Sequence, residues 1–358
     1  MKTRFAWTAV VLAVVLAVGL ASISWAQVPG PLNAITDVPG VEVGQHTVTN
    51  GAGGMTGTTA VITRSGATPG VSQRGGAPGT RETDLLKPEK LVDKVHGVSL
   101  SGGSAYGLAA ADGVMQCLGA QGLGVPVAGG DVVPIVPAAI LFDPGRCAAF
   151  TFRPDASFGL AACQAASGGP VAQGNVGAGA GARSGGSKGG LGTASTVLPN
   201  GIIVGAIVAV NSGGRTFDTE GNFFAGFLEL GNEFSTVVPS NFTPPEEAPT
   251  LLRNTTIAVV ATNARLTKAQ ATKVAQMADD GFARAIKPSH GVGDGDTIFA
   301  LATGTDPRPA ANLVSQIGST AADTLSRAIV HAILNAESIH VGSCNVRSYC
   351  EQFPANCP

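Results

Sequence analysis

Charge is scarce in this sequence. Asp, Glu, Lys and Arg make up 13% of 358 residues, and the formal net charge is −2 at pH 7. Without a basic excess, nothing in the chain recruits nucleic acid or an anionic membrane surface. No CxxC occurs, and the five histidines (His46, His96, His290, His331, His340) form no HExxH. A zinc site therefore has no motif to rest on, and the histidines read as structural or surface groups. After the first 26 residues no apolar run is long enough to span a bilayer. No internal repeat and no linker composition appears either, so the chain is not divided by its sequence into separate units.

What is present in quantity is glycine, 50 residues of it. Together with many alanines it favours tightly packed layers over disorder. Residues 1–26 carry Lys2 and Arg4, then the apolar stretch 6–20, then Ser24-Trp25-Ala26. This is the pattern of a cleaved signal peptide, with an uncleaved anchor as the alternative. Export to the periplasm or the medium is the expectation, with the mature chain starting at Gln27. Once Lys2 and Arg4 are gone, 20 basic residues face 24 acidic ones, a formal charge of −4. Six cysteines, Cys117, Cys147, Cys163, Cys344, Cys350 and Cys357, are an even number in an exported chain and suit disulfides of open pairing. Three of them crowd into the tail 341–358, where a bridge would pin a loose end.

Coarse periodicity predicts strands over 58–64, 132–143, 201–210 and 297–303. It predicts helices over 105–118, with Ser104 as N-cap, and over 155–166, 266–286 and 321–336. The stretch 74–84 holds too many turn residues for a regular element, and 85–95 is expected to return toward the core. Gly-Gly-Ser-Ala-Tyr-Gly at 102–107 looks like a nucleophile elbow, but Tyr106 stands where the second glycine belongs, so Ser104 is rejected as a hydrolase serine. The glycine-rich run 174–190 has no helix to open after it and no Gly-Lys-Ser/Thr, which removes both dinucleotide and P-loop readings. It remains a flexible, close-approach backbone carrying Lys188 between glycines. That lysine is either solvated or reaching into a site that bulkier neighbours would block. Asn211 ends the most apolar strand, either as a turn former or as an amide aimed into a cleft. Asp294 and Asp296 are an ordinary turn or a carboxylate pair beside an amine or hydroxyl. They lack the other ligands of a calcium loop.

The stretch 249–262 organises the rest. A Pro-rich, charged segment (Pro244, Pro245, Glu246, Glu247, Pro249) ends, and a β-branched run begins after Asn254 with Thr255, Thr256 and Ile257. Read as a cut site, it lets the Thr255 hydroxyl attack the Asn254 carbonyl, so that the peptide becomes an ester that water opens. Thr255 would then carry a nucleophile and, in its free α-amine, a base. No cofactor or metal is needed for this chemistry. Asn254-Thr255-Thr256 also matches an N-glycosylation acceptor, and a Thr-Thr pair is in any case a good strand start.

Five ordered blocks carry a resemblance along nearly the whole mature chain: 75–84 (GGAPGTRETD), 100–108 (LSGGSAYGL), 185–195 (GGSKGGLGTAS), 254–257 (NTTI) and 294–297 (DGDT). The chain resembles the self-processing peptidases that include D- and β-aminopeptidases and nylon-oligomer (aminohexanoate-oligomer) hydrolases. Asn-Thr-Thr-Ile is closest to the nylon-oligomer branch, since the aminopeptidase branch uses Ser. The resemblance implies an α+β, four-layer αββα sandwich like that of N-terminal nucleophile hydrolases. It implies one domain cut into a large chain, 27–254, and a small chain, 255–358, with protomers assembling into a homo-oligomer. It implies roles as well: Thr255 as nucleophile, Asn211 as oxyanion-side amide, Lys188 as loop cation near the nucleophile, Asp294 and Asp296 as paired acids. A family tyrosine falls at Phe142, so its hydroxyl is missing or replaced by another, such as that of Tyr106. The export segment and cysteine tail lie outside the family pattern.

The expected function is hydrolysis of amide bonds in small peptides or amide oligomers. Three alternatives remain open at this point: an exported aminopeptidase releasing N-terminal D- or β-amino acids, an acyltransferase of arginine synthesis, which export argues against, and an uncleaved, non-enzymatic binding protein.

Overall fold

A computed structural model describes residues 27–234 and 254–357. The expected signal segment 1–26 and the Pro-rich loop before Asn254 lie outside the described residues. Nine strands form the principal sheet system: β1 (Glu42–Thr49), β2 (Met55–Gln73), β3 (Thr80–Arg81), β4 (Val95–Ser101), β5 (Ala138–Ile140), β6 (Gly190–Val197), β7 (Ile203–Val210), β8 (Ile257–Thr262) and β9 (Thr297–Ala302). The main helices are α1 (Ala110–Ala120), α2 (Ala156–Gln164), α3 (Lys268–Ala285) and α4 (Val314–Leu334).

The order β6-β7-β8-β9-β2-β4-β5-β3, with β1 also on β2, hides two layers. The first part of β2 pairs with β1 and β4, and its last six residues pair with β9 (Thr68↔Ala302 to Gln73↔Thr297). Its register breaks between Ile62 and Ala67, where the strand passes from one layer to the other. Alternation then sorts the side chains. Ile207, Ala209, Ile257, Val259, Phe299 and Leu301 meet Val61, Val98 and Leu100 in a core between the layers. Val204, Val208, Val260 and Ala300 turn the other way, onto Val274, Phe282, Leu325 and Ile329 of α3 and α4. Ala60 and Ile62 face Val114, Leu118 and Ala162 of α1 and α2. The result is the four-layer αββα sandwich. Strands β7 and β8 are buried on both faces, which is why they read as unbroken apolar runs.

Small residues set the layer spacing. α1 and α2 cross at Gly113 and Gly159, where an added Cβ would lie 1.8 Å from Ala156 O and 1.7 Å from Ala110 O. Cys117–Cys163 joins the same two helices. Helix α3 starts in a capping box: Gln270 N–H donates to Thr267 Oγ1, and Thr267 N–H donates to Gln270 Oε1 at 2.9 Å.

Several expectations are corrected. Ser104 does not cap a helix. It has φ +54° and opens the 3-10 turn Ser104–Ala109, while α1 begins at Ala110. The turn is set by Asp143, whose Oδ1 accepts the Gly103 N–H at 2.6 Å. The strand expected over 132–143 is two short pieces, Val132–Val133 and β5, because Pro134 and Pro137 have no N–H for a ladder. Of 85–95, Leu86 and Val95 are buried but Leu91 is 92% exposed, so the stretch runs over the surface. The run 174–190 is not a free loop. Most of it is buried, with Gly177 N–H on Thr47 Oγ1 and Ala178 N–H on Thr59 Oγ1. The last long helix starts at Val314, ahead of the expected 321.

Candidate active site

One rim of the helix-covered layer gathers residues far apart in sequence. β6 begins where β7 ends (Gly190↔Val210), β7 pairs near its end with the start of β8 (Ala209↔Ile257), and β8 starts beside β9 (Ile257↔Thr297). Lys188, Asn211, Thr255 and Asp296 each lie one or two residues beyond these strand ends. They therefore fall in a row along the rim. Thr255 stands two residues ahead of its strand and is 6% exposed.

Three contacts fix Thr255. Its N–H donates to the main-chain carbonyl of Asn211 at 2.6 Å. Its hydroxyl lies 2.5 Å from Asn254 O, the carbonyl of the bond it would cut. The Gly295 N–H donates to Thr255 Oγ1 at 3.0 Å. Glycine is needed there, since a Cβ at 295 would sit 2.8 Å from that oxygen. Thr256 N–H donates to Asp296 Oδ1 at 2.8 Å. The stretch 74–79 wraps the Asp-Gly-Asp turn from outside, with Ala77 N–H on Asp294 O (2.8 Å) and Arg74 N–H on Asp296 O (3.1 Å).

The two acids do different work. Asp294 Oδ2 accepts the Gly291 N–H at 2.7 Å and closes its own turn. Burial first, then the neighbouring Asp296 charge, raises its pKa. Asp296 instead links Thr256 to His290, whose N–H (3.1 Å) and Nδ1 (3.0 Å) both reach Asp296 Oδ2. Burial disfavours the His290 imidazolium, but the Asp296 hydrogen bond and the charges of Asp296 and Asp279 outweigh it and raise its pKa. Behind them, fully buried Asp279 accepts from Ser72 Oγ and faces Arg74 Nε at 3.9 Å. Burial pushes its pKa up to about 6.

Lys188 is 1% exposed. Its amine donates to Gly189 O (2.6 Å) and Gly179 O (3.3 Å), not to Thr255. Burial, then the positive charges of Arg146 and Arg183, lower its pKa to about 7, against a weaker pull from Asp143. A lysine held this way is about half neutral amine and half ammonium at pH 7, where an ordinary lysine is almost wholly charged. Asn211 is fully buried. Its Oδ1 accepts from Arg146 Nη1 and from the Arg183 N–H (3.0 Å), and its Nδ2 donates to Phe142 O at 3.3 Å. Phe142 thus contributes a carbonyl here, and its ring lies 6.4 Å from Phe150. Tyr106 is 56% exposed with the Arg153 guanidinium 3.6 Å over its ring, and its hydroxyl makes no bond to Thr255.

Sequence reasoning missed His290, Arg146, Asp143 and the Asn211 carbonyl. His290 lies four residues before Asp294 in a loop, so no periodic spacing marked it. Among the described residues no group of three or more His, Cys, Asp or Glu side chains gathers to hold a metal ion.

Comparison with known proteins gives the arrangement a context. Residues 33–346 match the model of peptidase family S58. The chain is 45% identical over 355 residues to an uncharacterised aminopeptidase of Mycobacterium leprae, covering 90% of this chain and 95% of that protein. It is 30% identical over 277 residues to a 6-aminohexanoate-oligomer endohydrolase of a Kocuria species, covering 75% and 74%. Among solved structures it superposes on the L-aminopeptidase D-Ala-esterase/amidase of Ochrobactrum anthropi, described as a variant of the Ntn hydrolase fold. The TM-score is 0.68, with 22% identity over 91% of this chain and 96% of that one.

Proposed function

Because the chain belongs to peptidase family S58 and is an N-terminal nucleophile peptidase or amidohydrolase, we propose that it activates itself by cutting between Asn254 and Thr255. Freed Thr255 then hydrolyses amide bonds of small peptides or amide oligomers. The observation that carries the reading is the position of the Thr255 hydroxyl, 2.5 Å from Asn254 O and held by Gly295 N–H. In the cut, Thr255 Oγ1 bonds to the Asn254 carbonyl carbon, the C–N bond breaks, and the hydroxyl proton ends on the departing nitrogen. Water then opens the ester, leaving an Asn254 carboxylate and a Thr255 amine. That amine stays on the Asn211 carbonyl, which already holds its N–H.

In turnover the amine takes the Thr255 hydroxyl proton, and the oxygen adds to a substrate amide to give an acyl-enzyme that water releases. Gly295 N–H steadies the nucleophile oxygen, Asp296 orients the Thr255–Thr256 backbone, and Lys188, about half of it unprotonated at pH 7, accepts protons at the same rim. Asn211 is assigned as the oxyanion-side amide. Replacing Thr255 by Ala tests the reading: an uncut, inactive precursor is expected on reducing denaturing gels, and a normal two-chain pattern contradicts it.

A second reading, an aminopeptidase releasing N-terminal D- or β-amino acids, draws support for its aminopeptidase part from the M. leprae relative and from the Asp296 carboxylate at Thr256, which suits a substrate ammonium. Activity on aminoacyl amides against internal amides of an oligomer separates the two. Export through residues 1–26 belongs to the proposal, and three disulfides suit an oxidising compartment.

A further inference from the structure

The three disulfides fall unevenly about the proposed cut. Cys117–Cys163 lies within 27–254, and Cys350–Cys357 lies within 255–358. Cys147–Cys344 joins one part to the other. We infer that this bridge is an interchain strap: it makes the processed protein one covalent unit and, through the cysteine tail, positions the loops that hold Lys188 and Asn211. The inference rests on the cut proposed above.

Both ends of the strap lead to the active-site rim. Cys147 follows Arg146, whose guanidinium bonds Asn211 Oδ1 and Gly181 O (3.2 Å). Beyond Cys344, the Arg347 carbonyl accepts the Lys188 N–H at 2.8 Å, and Gln352 Nε2 donates to Ser187 Oγ at 2.9 Å. The tail is no loose end. Tyr349 is fully buried, donates to Gly221 O at 2.6 Å, and sits in a ring cluster with Phe217, Phe223 and Phe353. The cut frees a chain end at Thr255, and strand pairing of β7 with β8 and of β2 with β9 keeps the chains together. Pairing alone leaves the Lys188 turn resting on a terminal segment of the other chain, and the strap closes that gap. The bridge forms when two thiols lose two protons and two electrons to a disulfide oxidant by exchange, the oxidant leaving as a dithiol.

The test uses protein made with its export segment and purified without reductant. Intact mass and denaturing gels are expected to show one species with the summed mass of both chains, resolving into two on reduction. Two species without reductant overturn the strap. A single species after reduction overturns the cut instead, so the failures are distinguishable. Cys344→Ser is expected to show two species without reductant, while Cys350→Ser stays as one. The reverse pattern contradicts the assignment. Should Cys344→Ser fail to fold, a peptide map of the unreduced protein is expected to contain a fragment joined through Cys147 and Cys344, and its absence overturns the inference. Positioning is read in kinetics: loss of the bridge lowers kcat by about tenfold with KM little changed, and an unchanged kcat refutes the positioning role.

Discussion

Replacing Lys188 by Met tests the electrostatics of the rim with a magnitude taken from the structure. The amine's folded pKa is about 7 against an ordinary 10.5, so between those values the unfolded chain holds a proton that the folded chain has released. Stability must then rise with pH across that window, by up to about 1.4 kcal/mol per unit. The cost of burying the ammonium is fully present below pH 7 and is relieved as pH approaches 10.5. Between pH 7 and 9 the change is about 2 kcal/mol. Methionine keeps the stem and removes the titration. The carbonyls of Gly179 and Gly189 lose a donor in the variant, but that offset does not depend on pH and cancels. The assay is reversible urea unfolding at pH 7 and pH 9 of oxidised protein, Lys188 against Lys188→Met, in a Thr255→Ala background so that one chain is present. The Lys188 protein is expected to gain about 2 kcal/mol on the Met variant over this range. A gap that stays constant with pH refutes a buried neutral lysine and, with it, the assignment of Lys188 as a proton acceptor.

His290 titrates in the opposite sense. Its pKa is raised by Asp296 and Asp279 against burial and the Arg74 charge, so its contribution is present below the unfolded value and lost as pH climbs through the folded one. In the same background His290→Gln is expected to cost about 1–3 kcal/mol at pH 5.5 and clearly less at pH 8.5, measured by thermal unfolding; an equal cost at both pH values contradicts the ion pair. Gly295→Ala places a Cβ 2.8 Å from Thr255 Oγ1 and 2.9 Å from Ala77 O. Processing is expected to slow by at least about tenfold in a time course on reducing gels, and a normal rate argues against the Gly295 contact. Arg146→Met removes a donor from Asn211 Oδ1 and is expected to lower kcat more than it raises KM.

Strands β7 and β8 were legible because burial on both faces leaves them apolar and rich in β-branched residues, and α3 because Ala269, Val274, Ala278, Phe282 and Ala285 recur at helical spacing. The length of β2 was not. Gly66, Pro69 and Gly70 read as punctuation, yet they lie where the strand crosses between layers and where α3 comes so near that a Cβ on Gly70 would be 2.4 Å from Thr272 N. The row Lys188, Asn211, Thr255, Asp296 was available as motifs because each residue has a chemistry-bearing side chain next to a strand end. The Asn211 carbonyl and the Gly295 N–H were not, since main-chain atoms carry no residue identity. Tertiary pairing alone brings them to Thr255.

N-terminal sequencing of the purified, reduced protein, with the masses of its fragments, tests the central claim most directly. The account predicts a small chain that begins Thr255-Thr256-Ile257 beside a large chain that ends at Asn254. An active single chain, or a break at any other bond, contradicts it.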